Sequence, residues 1–196
     1  MSNNLVPDRD QALDLFLRYN KSESLLRHAL AVEGVMRYMA MKAGEDEDKW
    51  GIIGLIHDLD YEMYPEQHCT MTKKILTEEG WPEEYLRAVV SHGWGLVSET
   101  EPVTLLEKTL FAMDELTGLV TTSALVRPSK SVMDMEAKSV RKKWNDKRFA
   151  AGVDRSVIEK GAAMLGISLD ELITDCIYGM RTVAEAIGLK GSAEPA

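Results

Sequence analysis

Apolar residues recur at helical spacing almost from end to end of this chain, and no stretch alternates as a half-buried strand would. From 22 to 43 they fall at Leu25, Ala29, Val32, Val35, Met36 and Met39. That is close to the i, i+3/i+4, i+7 stripe of one helix face. Ser22 reads as the N-cap of that helix and Gly44 as its stop. Further helices are expected at 70–79, closed by Gly80, at 83–91, opened by Pro82, and at 103–126, opened by Pro102 and ended by Pro128. Two shorter ones are expected at 134–143 and 155–164. The closing stretch begins "GISLDEL", where Ser168 and Glu171 have capping-box spacing. Only 50–59 is ambiguous, a short apolar run that suits either a buried helix or a buried strand. Its Gly51 and Gly54 favour close helix packing over a strand, which they would weaken. The expected fold is all-α: a single-domain helical bundle over 1–190 with a disordered tail at 191–196.

A chain of 196 residues buries roughly 70% of its unfolded surface, enough to fold without disulfides. Cys69 and Cys176 are isolated thiols without motif spacing, which fits a reducing cytoplasm. The N-terminus lacks the basic and apolar regions of a signal peptide, and no run approaches the roughly 20 apolar residues of a membrane span. A formal charge of −9 argues against general nucleic-acid affinity, because counterion release rewards basic surfaces. The segment 127–148 departs from this balance, with eight basic residues against three acidic. It reads either as a solvated helix face or as an electropositive patch for a phosphorylated ligand. Within it, Lys138, Arg141 and Lys142 share one helix face at i, i+3 and i+4, and are the candidate phosphate contacts. Met133, Met135 and Trp144 are candidates either for a homodimer surface or for cover over the core.

The apolar run Gly54-Leu55-Ile56 ends on adjacent His57 and Asp58, side chains that are costly to bury without a partner. The other three histidines are His28, His68 and His92, and each of the four sits on or at the end of an expected helix. Asp114 lies mid-helix in the apolar stretch "LFAMDELTGLV". Taken singly, each histidine reads as a hydrogen-bonded core residue and Asp114 as a solvent-facing acid. Together, on separate helices, they are the inventory a bundle needs for an internal metal site. Imidazole with carboxylate suits Mn, Fe, Zn or Ni, and the lack of cysteine ligands argues against a structural zinc site.

This order of residues, with the flanks "HALAVE", "GLIHDLDYE", "SHGW" and "MDELTGLV", resembles the HD-domain superfamily of metal-dependent phosphohydrolases. The run "KSVRKKWNDKRFAAGVDR" is similar to that of small HDIG-type hydrolases within it. The resemblance implies one or two divalent ions per chain (Mn, Fe, Zn, Ni, Co or Mg). His28, His57, Asp58 and Asp114 would hold the core ion, His68 and His92 would add a second, and Asp58 would bridge them. It implies hydrolysis of a nucleotide or other small phosphorylated compound by metal-activated water. Asp58 is then a catalytic residue, and Asp60 or Glu62 would orient the water or relay a proton. The same superfamily offers two alternatives, a di-iron oxygenase and a non-catalytic ligand-binding module.

Overall fold

The computed structural model describes residues 6–191. Among them are nine α-helices, α1 (Arg9–Tyr19), α2 (Glu23–Ala43), α3 (Glu47–Ile56), α4 (Thr70–Glu78), α5 (Glu83–Ser91), α6 (Leu105–Leu125), α7 (Ala137–Arg141), α8 (Arg155–Leu165) and α9 (Leu169–Thr182), with a 3-10 turn at Pro65–Gln67. No strand occurs among the described residues, and the fold is all-α. None of these helices is long and apolar enough to cross a membrane.

The two longest helices, α2 and α6, run between two apolar clusters and give a face to each. On one side Ala29, Val32 and Met36 of α2 and Leu110 of α6 pack with Phe16, Trp50, Ile53 and Tyr85. On the other, Val35 of α2 and Met113, Leu116 and Val120 of α6 pack with Ile158, Leu172 and Ile177. A side chain on α2 or α6 at the seam between the clusters is therefore held by both.

Several local signals act as expected and several do not. Segment 50–59 is helical over its first seven residues, and every residue from Trp50 to Ile56 is buried. At Gly54 a Cβ would lie 3.0 Å from the Val32 carbonyl oxygen, so this glycine lets α3 approach the α2 backbone. Helix α6 begins at Leu105 rather than beside Pro102. Thr104 caps it, with Glu107 completing the capping box. At 134–143 only Ala137–Arg141 is helical. Helix α1 was not expected, although Asp8 and Gln11 form a capping box ahead of Ala12, Leu15 and Phe16. Ser22 stands at the N-cap of α2 without a side-chain cap bond; Glu62 Oε2 instead accepts the N–H groups of Lys21 and Ser22 at 2.7 and 2.9 Å. Nearby, Asn20 Nδ2 donates to the Leu59 carbonyl at 2.8 Å. These bonds pin the turn after His57-Asp58 to the start of α2.

Met135 and Trp144 are buried and belong to the core, while Met133 is exposed. Gly191 is the one described residue of the expected tail. The chain leading to it is tied down, with Val132 N–H donating to Leu189 O at 2.9 Å and Ser131 Oγ to Lys190 O at 2.8 Å. Residues 192–196 lie outside the described residues.

Candidate metal centre

The six metal-ligand candidates come together at the seam between the two clusters. Helices α3 and α5 each end on a histidine, His57 and His92. The last carbonyls of a helix lack intrahelical donors, and each ring supplies one to the residue three before it. His57 Nδ1 donates to Gly54 O at 2.8 Å and His92 Nδ1 to Val89 O at 2.5 Å. His68 follows the 3-10 turn, and its Nδ1 donates to Asp60 Oδ1 at 2.8 Å. On α2, His28 Nδ1 lies 3.3 Å from Thr117 Oγ1, whose own hydrogen goes to Asp114 O at 2.7 Å. All four rings thus carry the proton on Nδ1 and turn Nε2 inward, the arrangement that orients imidazole toward a metal.

The inward atoms fall into two groups, one on each oxygen of Asp58. Asp58 Oδ2 is 3.6 Å from His28 Nε2 and 3.4 Å from His57 Nε2, and Asp114 Oδ1 is 3.0 and 3.2 Å from the same two nitrogens. Asp58 Oδ1 is 3.4 Å from His68 Nε2 and 3.6 Å from His92 Nε2. Ligand atoms at ~2.1 Å from one ion lie roughly 3.0 Å apart at an octahedral edge and ~3.4 Å at a tetrahedral one. The donor set therefore fits a divalent cation, and each oxygen of Asp58 faces a different pair of histidines. His68 and His92 set two Nε2 lone pairs 3.1 Å apart, an arrangement that needs a cation or a proton between them.

The charges respond accordingly. Burial opposes ionisation of both carboxyls, but the histidines, His57 foremost, hold Asp58 and Asp114 far below the usual range. Burial likewise pulls His57 down, and the charges of Asp58 and Asp114 outweigh it, so His57 stands well above 6.5. In the metal-free protein the ionised carboxylates are thus paired with a protonated His57, whose proton a cation would replace. Residues 25–119 match the HD domain family. HD domains bind divalent metals. The HD segment covers just under half of the chain and contains all six candidates. No solved structure matches the chain.

A pH effect follows for the metal-free HD segment. Burial lowers the pKa of His68, but the hydrogen bond to Asp60, with Cys69 and Asp58 behind it, raises it from 6.5 to about 10. A raised folded-state pKa stabilises fully below the unfolded value, and that stability is lost as pH climbs through the folded one. The Tm of chelator-treated protein is expected to fall between pH 6.5 and pH 10, and to fall less steeply for His68→Gln. An equal slope in both would mean that the ring is not charged there.

A cavity of about 370 Å³ opens onto the donors, walled on its apolar side by Leu25, Leu96, Val97, Val153 and Val157. The acidic relay residues expected from sequence lie elsewhere. Asp60 is fully buried behind His68, with its oxygens taken by His68 Nδ1 and, at 2.8 Å, by the Thr72 N–H. Glu62 caps α2, as described above. Besides the ligand candidates Asp58 and Asp114, the carboxylate that lines the cavity is Glu115, which sequence reasoning passed over. Burial, helped by the charge of Asp114, raises its pKa to about 7, and its Oε2 accepts the Asp154 N–H at 3.1 Å.

The basic segment is not brought to the centre either. Lys138 pairs with Glu136 and Arg141 with Asp170, and neither they nor Lys142 line the cavity. They lie on α7 and its C-cap, and α7 packs against α9 and α6. A larger cavity of about 650 Å³, beside α1 and Trp81, carries Gln11, Asp14, Arg18 and Glu79. Arg18 and Glu79 are already paired with each other, and no histidine faces it.

Proposed function

We propose that the protein is a metal-dependent phosphohydrolase of the small HDIG type, acting on a small phosphorylated compound. One observation carries this reading: four imidazoles held in the Nδ1–H form aim Nε2 at the two oxygens of Asp58, beside a cavity. Divalent cations there (Mn, Fe, Zn, Ni, Co or Mg) would bring the pKa of water toward neutrality and offset charge on phosphoryl oxygens. The chain's own residues do the rest. His28, His57, Asp114 and Asp58 Oδ2 serve one cation position, while His68, His92 and Asp58 Oδ1 serve the other. Asp60 keeps the proton on His68 Nδ1 and so acts as a positioning residue. Leu96, Val97 and Val153 exclude water and house the part of the substrate beyond the phosphoryl group. Lys138, Arg141 and Lys142 do not line the cavity, so charge on that group would be left to bound cations.

Glu115 is the residue we assign to move a proton. It faces the cavity beside Asp114 without belonging to the ligand set, and burial raises its pKa above the usual carboxylate value in the metal-free protein, which suits a group that accepts or gives a proton. Glu115→Gln is expected to lower kcat by about 10²-fold or more, with bound metal unchanged by ICP-MS. A kcat within threefold of wild type would exclude the role.

The reading is tested by phosphate release from a panel of nucleotides and sugar phosphates with Mn or Co added, alongside metal analysis of protein purified without chelator. Metal-loaded protein that releases no phosphate from any of them would sink it. A second reading has one observation in its favour: the same six-ligand set is what a di-iron oxygenase of this superfamily needs. Dioxygen uptake and a visible band on adding ferrous iron would support that instead. Ligand binding without either turnover would make it a non-catalytic module.

A further inference from the structure

Cys69 stands outside the six residues considered so far, yet it reaches them. Its Sγ and the ligand nitrogens of His68 and His92 all lie within 4.8 Å of one another. Resting on the metal-centre reading, we propose that Cys69 is a further ligand at the cation position of His68 and His92, making that position thiophilic and chemically unlike its neighbour.

The surroundings leave the sulfur available for this role. Cys69 is buried and forms no disulfide. It occupies the N-cap of α4 but makes no side-chain cap bond, so the sulfur is not spent on the helix. That end of a helix dipole favours an anion, as a metal-bound thiolate is. The residue after His92 is Gly93, where a Cβ would lie only 2.8 Å from Cys69 Sγ. Any other residue at 93 would crowd the sulfur beside the ring it is proposed to join.

Two nitrogens and one sulfur thus gather at this position, and Asp58 Oδ1 lies 3.4 and 3.6 Å from the two Nε2 atoms. One ion at ~2.1 Å from nitrogen and ~2.3 Å from sulfur would take these three donors and leave a fourth tetrahedral position. The other position offers two nitrogens and two carboxylate oxygens, with no sulfur. Thiolate favours softer ions such as Zn, Co or Cd over Mg and Mn, so the two positions should fill with different preferences. On binding, the thiol gives its proton to solvent as the sulfur–metal bond forms, and no oxidation state changes.

Cobalt titration of the chelator-treated full chain tests this. A near-ultraviolet sulfur-to-cobalt charge-transfer band should appear in wild type, disappear in Cys69→Ser, and persist in Asp114→Asn, which alters only the other position. It should also persist in Cys176→Ser, where Cys69 is the sole thiol, so the assignment survives even if Cys69→Ser fails to fold by circular dichroism. Cadmium affinity should drop by about tenfold or more in Cys69→Ser, with manganese affinity within twofold of wild type. Cobalt binding without the band, or a band unchanged in Cys69→Ser, would overturn the ligand role and leave the metal centre standing. No cobalt binding at all would overturn both.

Discussion

Asp58→Asn is expected to empty both cation positions and to lower kcat/KM by about 10³-fold or more, roughly 4 kcal/mol of transition-state stabilisation. Among the described residues, Asp58 is the carboxylate that reaches both pairs of histidines. One Asp58 oxygen lies against His28 and His57, the other against His68 and His92. An amide keeps the shape but supplies a single acceptor oxygen. Its NH₂ would point at one pair of Nε2 lone pairs, and the negative charge that helps draw cations to both positions would be gone. His68→Ala should behave differently, losing one ion and retaining the other, because His28, His57 and Asp114 do not depend on it. Metal content by ICP-MS, with phosphate release measured on the same samples, separates the two variants. Two ions per chain in Asp58→Asn would refute the bridging placement, whatever happened to the rate.

How much of this was readable beforehand depended on whether a signal was local. Helices α4, α5, α8 and α9 bury one face each, so their period appears in the sequence, while α2 and α6, which give a face to both clusters, are marked by the residues that bound them, Ser22 with Gly44 and Pro102 with Pro128. Helix α3 buries every residue from Trp50 to Ile56, so the period vanishes, and only Gly51 and Gly54 favoured helix over strand there. Helix α1 also has a local signal, the Asp8–Gln11 capping box ahead of Ala12, Leu15 and Phe16. The six donor residues stood out because ionisable groups in apolar helices are costly without partners. The roles of the nearby acids did not stand out. Asp60 turns toward His68 and Thr72, Glu62 toward a helix start some forty residues earlier in the chain, and Glu115 toward the cavity. Those directions are set by turns and tertiary contacts that no spacing encodes. The basic run 127–148 was visible as a charge excess, but its placement away from the cavity was not. Cys69 looked isolated because His92, its second neighbour at the site, lies on the next helix but one along the chain from the His68 turn.

Gly179→Ala is expected to destabilise the fold by about 1–3 kcal/mol and to lower Tm by roughly 2–12 °C for a chain of this length. Helix propensity alone predicts the opposite sign, since alanine is better than glycine in a helix interior by about 1 kcal/mol. Contact geometry reverses it. A Cβ at 179 would lie 2.5 Å from Val35 Cα, a backbone atom of α2, and a Cβ at Gly34 would lie 3.2 Å from the Gly179 carbonyl oxygen. Each glycine therefore makes room for the other helix. Helix α2 cannot simply retreat, because its opposite side meets α3 at Gly54 and Val32 and its first turns carry His28. The strain should thus reach the metal centre as well as the core, weakening metal binding alongside Tm. Gly118→Ala on α6 is the contrasting case: its added methyl would meet only Val153 Cγ2, at an ordinary 3.5 Å, so it should gain about 0.5–1 kcal/mol from propensity. Thermal melts of the metal-free variants, with cobalt affinity measured in parallel, read both consequences. A Gly179→Ala protein that melts at or above wild type would mean that α2 and α9 do not cross at backbone contact.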